Sequence, residues 1–167
     1  ANPPADEARE QVEEGELEAL KTFLPKRFPK IGWDKLVLMD GSGLSSANRI
    51  SPEQLMAFLI LGDRTEEVDL ETLLPIGGWN GTLTDRLQGE ATALRVHAKS
   101  GTLAFAVSTA GYLYAKSGRR LAFVLFINDL AKRQQFEKGG LAREGSNWIR
   151  QQKETMDQII TQLIVSY

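Results

Sequence analysis

Residues 94–128 carry the pattern that most constrains how this chain can fold. The pattern predicts a strand at Leu94–His97, a longer strand of small and aromatic residues at Ala104–Ala115, and an apolar strand at Leu121–Ile127 that is buried on both faces. Lys116–Arg119 has the composition of a tight turn. Because tight connections join antiparallel neighbours, the sequence predicts a three-stranded antiparallel sheet.

Two helices are predicted before this sheet. In residues 5–24 apolar side chains recur at helical spacing with glutamates on the other face, and Pro25 with the Lys26–Lys30 stretch is expected to end the helix. Ser51–Gln54 combines a capping serine, a proline at the first helical position and the glutamine of a capping box. The buried face and the end of this second helix are expected at Leu55, Phe58, Leu59, Ile60 and Gly62.

One helix is predicted after the sheet, and loops are predicted elsewhere. Gly145-Ser146 is expected to open that helix. Residues 63–93 are rich in Gly, Thr and Asp, which favours loops with short helical turns, and Leu36–Met39 is a short strand candidate. The expected fold class is α+β, with helices packed on a small antiparallel sheet. The apolar stripe of the last helix is predicted at Ile149, Met156, Ile159, Ile160, Leu163 and Ile164.

Composition argues against several classes of site and partner. The length of 167 residues suits one domain, and the net charge of −2 gives no electrostatic reason to expect nucleic acid. Because the chain has no cysteine and one histidine, disulfides and thiolate sites are excluded and a histidine-built metal site is disfavoured. No run approaches the roughly 18 apolar residues of a membrane span. We therefore expect no metal, no cofactor and no nucleic-acid partner.

Two short motifs contain the side chains that could carry chemistry. The first, Asp40–Arg49, lies between the strand candidate and the capped helix, and the second, His97–Thr102, lies at the head of the predicted sheet. Each motif alone is typical of an ordinary surface loop or strand end. Their order, however, is informative: a loop with serine and asparagine precedes a strand with Lys-Ser-Gly. These match two of the three sequence elements that form the active site in some serine enzymes with an acyl-enzyme intermediate.

Seven segments of the chain resemble one peptidase family. They are Asp40–Ser45, Asn48-Arg49, Leu74-Pro75, Gly81–Leu83, Ala98–Leu103, Ala110–Tyr112 and Phe126–Asn128. The chain is similar to the C-terminal part of a D-alanyl-D-alanine carboxypeptidase of the S13 peptidase family, the class C low-molecular-mass penicillin-binding proteins. The resemblance covers residues 36–128 and implies the C-terminal part of a β-lactamase/transpeptidase-like domain.

The resemblance also implies catalytic roles in the first motif. A loop serine relays a proton to the leaving group, and Asn48 orients the substrate amide. The register of the serine stays open. The letters Ser46-Ala47-Asn48 fit the motif literally, whereas alignment through Ser-Gly-Leu-Ser selects Ser45 and puts Ala47 in the third position. Ser45 and Ser46 are therefore both candidates.

In the second motif the resemblance implies substrate docking. Lys99 is the catalytic-site cation that attracts the substrate carboxylate, and Ser100 keeps the hydroxyl of the more usual threonine. Gly101 leaves room for substrate along the strand edge, because it has no side chain. Thr102 completes the expected substrate-binding set of Ser100, Gly101 and Thr102.

The third element, a Ser-x-x-Lys nucleophile, does not occur in these 167 residues. No serine has a lysine three places on, and Ser117–Arg120 comes nearest, with an arginine inside a predicted turn. In the family this element lies upstream. We therefore expect residues 1–167 to be a single partial transpeptidase-like domain, a fragment that lacks the nucleophile and is inactive alone.

Three other functions are alternatives to that of a peptidase fragment. A non-catalytic module that binds a peptidoglycan peptide or a partner on the same fold is the main alternative, and a β-lactamase is a weaker one, since it needs the same absent serine. His97 as a general base lacks the Gly-x-Ser-x-Gly elbow of a serine triad, so an ordinary strand residue is favoured. For Trp33, Trp79 and Trp148, packing in the core or in a cleft wall is expected.

The resemblance implies partners and a location as well. The expected substrate is a peptidoglycan stem peptide ending in D-Ala-D-Ala, with β-lactams as ligands if the nucleophile part is supplied; exo- and endo-cleavage both stay open. The expected location is periplasmic or extracytoplasmic, at the cell envelope. A fragment can expose apolar surface that its missing part covers, so a homodimer through that surface is a further hypothesis.

Overall fold

The computed structural model describes residues 5–62 and 69–167, apart from the side chains of residues 5–14, 61, 142 and 143. The chain divides into two compact units, Ala1–Phe58 and Leu59–Tyr167. The fold is α+β, as the sequence predicts: mixed helices and a three-stranded antiparallel sheet, which lies in the second unit.

The first unit contains helix α1, Ala5–Arg27. It ends at Arg27, inside the predicted stretch, and the positive charges of Lys26 and Arg27 suit a helix C-terminus. The predicted strand at Leu36–Met39 is wrong. It is a single bridge, in which Val37 N–H donates to Arg49 O (2.9 Å) and Arg49 N–H to Val37 O (2.8 Å).

Helix α2, Pro52–Gly62, begins with the predicted capping box. Gln54 N–H donates to Ser51 Oγ, and Ser51 N–H donates to Gln54 Oε1, both at 3.0 Å. The helix ends at Gly62, as expected. Leu59 is buried, but Ile60 is 41% exposed, so its assignment to the buried face is wrong.

The sheet consists of β1 (Val96–Leu103), β2 (Ala106–Tyr114) and β3 (Arg120–Asn128), in that order, with both pairs antiparallel. This confirms the predicted antiparallel order of three strands, but the first strand begins at Val96 and runs to Leu103 instead of spanning Leu94–His97. The prediction that the third strand is buried on both faces is wrong, since Phe123 alone is fully buried among its residues. β3 is an edge strand with a sheet neighbour on one side, which explains its partial exposure.

Gly111 on β2 allows β1 and β2 to approach closely. A Cβ atom at Gly111 would clash with the backbone carbonyl oxygen of His97 and the Cα of Ala98 on β1. Those atoms are backbone and cannot rotate away, so this position needs glycine.

Two helices follow the sheet. Helix α3, Leu130–Glu137, was not predicted; Asp129 caps it by accepting from Lys132 N–H (3.0 Å). Helix α4, Ala142–Ser166, starts three residues before the predicted Gly145. Its buried face packs on the sheet, and the core of the second unit is formed by Leu83, Leu87, Val96, Ala98, Leu113, Phe123, Ile160 and Ile164.

The predicted stripe of α4 is partly correct. Met156, Ile160 and Ile164 are fully buried, and Ile149 and Leu163 are half-buried. Ile159 is 39% exposed and does not belong to the buried face. An α-helix has 3.6 residues per turn, so residues 156, 160 and 164, which are four apart, lie on one face of the helix. Ile159 lies to the side of that face.

The segment before the sheet is irregular, as predicted. Its described part contains two short 3₁₀ helices, Leu70–Leu73 and Gly81–Leu83; residues 63–68 lie outside the description. Among residues 5–62 and 69–167, no helix is both long and apolar enough to cross a membrane.

Candidate functional site

The outer edge of β1 is the side of that strand turned away from β2. Backbone groups alternate between the two sides of an antiparallel strand, and Arg95 O, which accepts from Tyr114 N–H, faces β2. The backbone groups of residues 96, 98, 100 and 102 therefore face outward. At the start of this edge, Gly77 N–H donates to Val96 O and Ala98 N–H donates to Pro75 O, both at 2.8 Å.

Beyond Ala98 the outer edge has no backbone partner within the described part of the second unit, residues 59–62 and 69–167. The outward groups there belong to Ser100 and Thr102. An unpaired stretch of strand edge is a ready position for a further extended segment. The structure therefore places a short open edge at the Lys-Ser-Gly-Thr motif.

Lys99 brings a positive charge to this open edge. Its side chain is exposed, and its Nζ donates to Ser100 O at 2.9 Å, an oxygen that faces outward. Ser100 is only 9% exposed, and its hydroxyl donates to Thr82 Oγ1 at 2.8 Å. Thr102 is exposed. The predicted docking residues 99–102 thus share one strand, and Ser100 and Thr102 are the two whose backbone groups face its outer edge.

Gly101 faces β2 rather than the open edge with its backbone. A Cβ atom there would lie 2.5 Å from Ser108 Oγ. Close pairing of β1 with β2 is therefore one reason why position 101 is occupied by glycine. The predicted reason, leaving room for substrate along the strand edge, is a separate one.

A buried carboxylate holds the sheet together next to this edge. Glu71 is 8% exposed; its Oε1 accepts from Tyr114 Oη (2.9 Å) and lies 3.1 Å from His97 Nδ1, and its Oε2 accepts from Arg120 Nε (2.7 Å). We call these four residues the Glu71 cluster. Its members come from one 3₁₀ helix and all three strands, so one carboxylate ties four segments together.

Electrostatics in the Glu71 cluster affect Tyr114. Burial, together with the hydrogen bond and the negative charge of Glu71, raises the pKa of the Tyr114 hydroxyl. The tyrosine therefore stays a protonated donor to the carboxylate. Arg120 also lies over the ring of Tyr112, with 4.0 Å between its Cζ and the ring centroid. Arg120, the first residue of β3, is thus paired through its guanidinium although it follows a turn.

The Asp40 loop, residues 40–49, belongs to the first unit and is organised around one carboxylate. Asp40 accepts hydrogen bonds from the backbone N–H groups of residues 43, 44 and 45, from Ser42 Oγ and from Asn48 Nδ2. These bonds, that of Asn48 above all, lower the pKa of Asp40, against a smaller opposing effect of burial. The carboxylate is held ionised by the loop that it shapes.

The loop residues with predicted catalytic roles take part in this internal network. Asn48 Nδ2 donates to Asp40 Oδ1 (2.6 Å), and its Oδ1 accepts from Met39 N–H (2.7 Å). Ser45 Oγ accepts from Ala47 N–H (3.2 Å). The backbone oxygen of Ser46 accepts from Arg49 (2.6 Å). Both ends of the Asn48 side chain therefore have partners inside the loop, and the proton-relay assignments for Ser45 and Ser46 stay predictions.

The tryptophans separate into two kinds. Trp33 Nε1 donates to Phe28 O (3.0 Å), and Trp148 packs on Phe105 with 5.7 Å between ring centroids. Trp79, in contrast, is 68% exposed. Among the residues whose side chains are described, 15–60, 62, 69–141 and 144–167, no group of three His, Cys, Asp or Glu residues could hold a metal ion.

Two residues of the second-unit site were missed in the sequence. Glu71 is a single acidic residue in an apolar stretch, Leu70–Leu74, and that setting is the signal that could have marked it as a buried, paired carboxylate. Thr82 lies in Gly81–Leu83, one of the segments that resemble the peptidase family, but no role of its own was assigned to it from the sequence. Its hydroxyl contacts Ser100 only because the fold brings the two segments together.

An open strand edge beside a Lys-Ser-Gly-Thr sequence, in an α+β unit with helices against an antiparallel sheet, matches one of the three signature elements of the penicillin-recognising serine peptidases. The family model of the D-Ala-D-Ala carboxypeptidase 3 (S13) family matches residues 4–145. This match covers most of the chain, and the chain belongs to that family.

Known relatives agree with this assignment. The chain is 33% identical over 113 residues to D-alanyl-D-alanine carboxypeptidase DacB of Haemophilus influenzae, covering 66% of this chain and 23% of that protein. It is 38% identical over 101 residues to carboxypeptidase Rv3627c of Mycobacterium tuberculosis, covering 55% and 22%. The chain thus spans about a quarter of the length of these curated relatives.

Solved structures show the same fold. The crystal structure of penicillin binding protein 4 (dacB) from Haemophilus influenzae matches with a TM-score of 0.61 and 32% identity, over 67% of this chain and 25% of that one. The Bd3459 predatory endopeptidase of Bdellovibrio bacteriovorus, solved in complex with its immunity protein, matches with a TM-score of 0.65 over 87% and 39%. At 18% identity, the second match supports the fold alone.

Proposed function

We propose that the second unit supplies the substrate-docking strand of a serine-type D-Ala-D-Ala carboxypeptidase or endopeptidase that acts on peptidoglycan peptides. The observation that carries this proposal is the outer edge of β1, which is open at Ser100 and Thr102 beside the Lys99 ammonium. An extended peptide can pair with such an edge as an added strand, and the ammonium attracts its terminal carboxylate.

The chemistry of acyl transfer would come from a Ser-x-x-Lys element outside these 167 residues. Support for this part of the proposal comes from the sequence, which contains no such element, and from the relatives, of which the chain spans about a quarter. The 167 residues then form a partial transpeptidase-like domain. β-Lactams would acylate the serine of the complete site rather than any serine of this chain.

In this proposal the Asp40 loop assists catalysis at the complete site and is not the surface on which the peptide docks. Ser45 or Ser46 would relay a proton, and Asn48 would orient a substrate amide. For Asn48 this requires that its amide use its second hydrogen, because the first already donates to Asp40. The relatives are a D-alanyl-D-alanine carboxypeptidase and a penicillin binding protein, which supports a peptidoglycan substrate, and with it we propose an extracytoplasmic location.

A titration with a peptide acid tests the docking strand. We expect diacetyl-L-Lys-D-Ala-D-Ala to shift the backbone amide NMR signals of residues 100–102. Lys99→Gln should weaken binding about tenfold, the scale of a lost hydrogen bond to a charged group. Lys116→Gln, in the exposed β2–β3 turn, is the matched control and should bind like the wild type. Equal weakening by both variants, or no shift at residues 100–102, would overturn the proposal.

Covalent labelling separates the proposed function from its main alternative. A fluorescent penicillin should not label these 167 residues, and it should label a longer natural chain that adds a Ser-x-x-Lys. If the natural coding region adds no such element, the non-catalytic peptide-binding or partner-binding module is favoured instead. Stoichiometric labelling of a serine within residues 1–167 would contradict both interpretations.

A homodimer remains a separate part of the proposal. β3 is an edge strand whose apolar side chains are mostly half-exposed, which supports association through that surface. Light scattering at several concentrations should then show a dimer, and a monomer at all concentrations would contradict it.

A further inference from the structure

We infer that Thr82 is a second carboxylate-binding residue of the docking strand: its exposed hydroxyl, held by Ser100, donates a hydrogen bond to the terminal carboxylate of the bound peptide. The inference rests on the proposed function and extends its site beyond residues 99–102. It assigns a specificity role to the segment 75–82, which precedes β1 and borders its outer edge.

The geometry of the two hydroxyls supports this role. Ser100 Oγ donates to Thr82 Oγ1 at 2.8 Å. Ser100 is 9% exposed, whereas Thr82 is exposed. A hydroxyl that accepts a hydrogen bond keeps its own proton for another acceptor. The proton of Thr82 is therefore the one available to a ligand, and the Ser100 hydroxyl supports it from the less accessible side.

A chain of two hydroxyls is a better donor than a single one. When Thr82 donates to an anion, the bond that it accepts from Ser100 becomes stronger, because hydrogen bonds in a chain polarise one another. A hydrogen bond to a charged acceptor is also stronger than one to a neutral acceptor. The pair therefore favours a carboxylate over a neutral amide at the same position.

Thr82 is held firmly enough for such a role. It lies in the 3₁₀ helix Gly81–Leu83, directly before Leu83, which is fully buried in the core. On the other side, Asn80 Oδ1 accepts from Ile76 N–H at 2.7 Å. Pro75 in turn accepts from Ala98 N–H of β1. The segment is thus attached to the same strand at Ala98 and at Ser100.

Lys99 and Thr82 complement each other chemically. The Lys99 ammonium donates a hydrogen bond to the outward carbonyl of Ser100, and the Thr82 hydroxyl accepts one from the Ser100 side chain. Both donors therefore adjoin Ser100. A carboxylate has two oxygens and accepts several hydrogen bonds, so one terminal group can use both donors.

The test compares two ligands on matched variants of the full 167-residue chain. The ligands are diacetyl-L-Lys-D-Ala-D-Ala as the free acid and as its C-terminal amide. The variants are Thr82→Val, which keeps the shape and removes the hydroxyl, and Thr82→Ser, which keeps the hydroxyl. We expect Thr82→Val to weaken binding of the acid about tenfold and to leave that of the amide unchanged. Thr82→Ser should match the wild type with both ligands.

A double-mutant cycle then tests the chain of hydroxyls. If Ser100 acts through Thr82, the loss in Ser100→Ala plus Thr82→Val should be smaller than the product of the two single losses in affinity. Independent, multiplicative losses would mean that the two hydroxyls bind separately and would overturn the supporting role of Ser100. Should valine disturb the fold, Thr82→Ala is a second variant without the hydroxyl.

The outcomes separate this inference from the proposed function. If the wild type binds the acid better than the amide and Thr82→Val does the same, Thr82 has no part in carboxylate binding. If Thr82→Val weakens acid and amide equally, its role is structural only. If the wild type binds neither ligand, or binds both equally, the proposed docking function itself is overturned.

Discussion

The Asp40 loop and the outer edge of β1 direct their polar groups differently. In the loop, one carboxylate accepts hydrogen bonds from backbone and side chains of its own neighbours, and Asn48 is bonded at both ends. At the edge, the backbone groups of Ser100 and Thr102 face away from the sheet, and Lys99 is exposed beside them. The polar groups of the loop are hydrogen-bonded to one another, whereas at the edge the outward N–H of Ser100 and the backbone groups of Thr102 have no backbone partner in the described part of the second unit, and only Ser100 O already accepts, from Lys99.

The difference shows which motif residues can bind a ligand without first breaking an internal bond. A hydrogen bond that replaces another gains little, while one offered by an open edge adds to affinity. The edge can stay open because its scaffold is fixed elsewhere, by the buried Glu71 cluster and by the close approach of β1 and β2 at Gly111. We therefore expect changes to the scaffold of β1 to cost most, and changes in the Asp40 loop to stay local.

Removing the carboxylate of the Glu71 cluster should have the largest effect. Glu71→Ala removes the carboxylate that accepts from Tyr114 and Arg120 and contacts His97, and each buried polar group left without a partner typically costs about 1–3 kcal/mol of unfolding free energy, more where the group is charged. Urea unfolding followed by circular dichroism measures the loss. Glu154→Ala, at an exposed position of α4, is the control and should change stability little. A loss in Glu71→Ala as small as in the control would mean that the cluster does not hold the sheet.

Two glycines of the sheet should differ in their tolerance of a methyl group. Gly111→Ala places a Cβ against backbone atoms of β1, so the strands must separate, at the typical overpacking cost of about 1–3 kcal/mol or more. Gly101→Ala meets the side-chain oxygen of Ser108, which can rotate, and should cost less. Urea unfolding of both variants checks the order. If Gly101→Ala is the more destabilising, the fixed spacing at Gly111 is not what sets the strand pairing.

The scaffold and the site were predictable from the sequence to different degrees. The strands followed from apolar runs and a turn, since strand pairing between sequence neighbours is a local matter. Glu71 was not predictable, because its partners come from three strands that meet only in the folded unit. Asn48 shows the limit of a motif. The sequence gives its residue type and spacing, but whether its amide faces a ligand or Asp40 depends on the loop conformation.

Removing the Asn48 side chain should disturb the Asp40 loop and little else. Asn48→Ala loses the bonds to Met39 N–H and Asp40, so we expect amide exchange at Met39 to speed up about tenfold, the equivalent of one hydrogen bond's worth of stability. Peptide-induced shifts at residues 100–102 should persist. Ser46→Ala is the control, with normal exchange expected. If exchange at Met39 in Asn48→Ala stays at the wild-type rate, the Asn48 side chain does not hold the loop, and the contrast between loop and edge fails.

The smallest effect should be a shift in the titration of Asp40. Hydrogen bonds, foremost that of Asn48, lower its pKa below the ordinary value of 3.8. A lowered pKa means that the folded loop disfavours the proton, so the contribution of Asp40 to loop stability is fully present above that ordinary value and is lost as the pH falls through the lowered one. In a ¹³C NMR titration, Asn48→Ala should therefore raise the pKa of Asp40. Ser42→Ala removes a weaker bond and should raise it less, because the Asn48 bond has the larger effect. Superimposable curves for the wild type and Asn48→Ala would show that the Asn48 amide does not hold the carboxylate in solution, and would leave Asn48 free to meet a ligand.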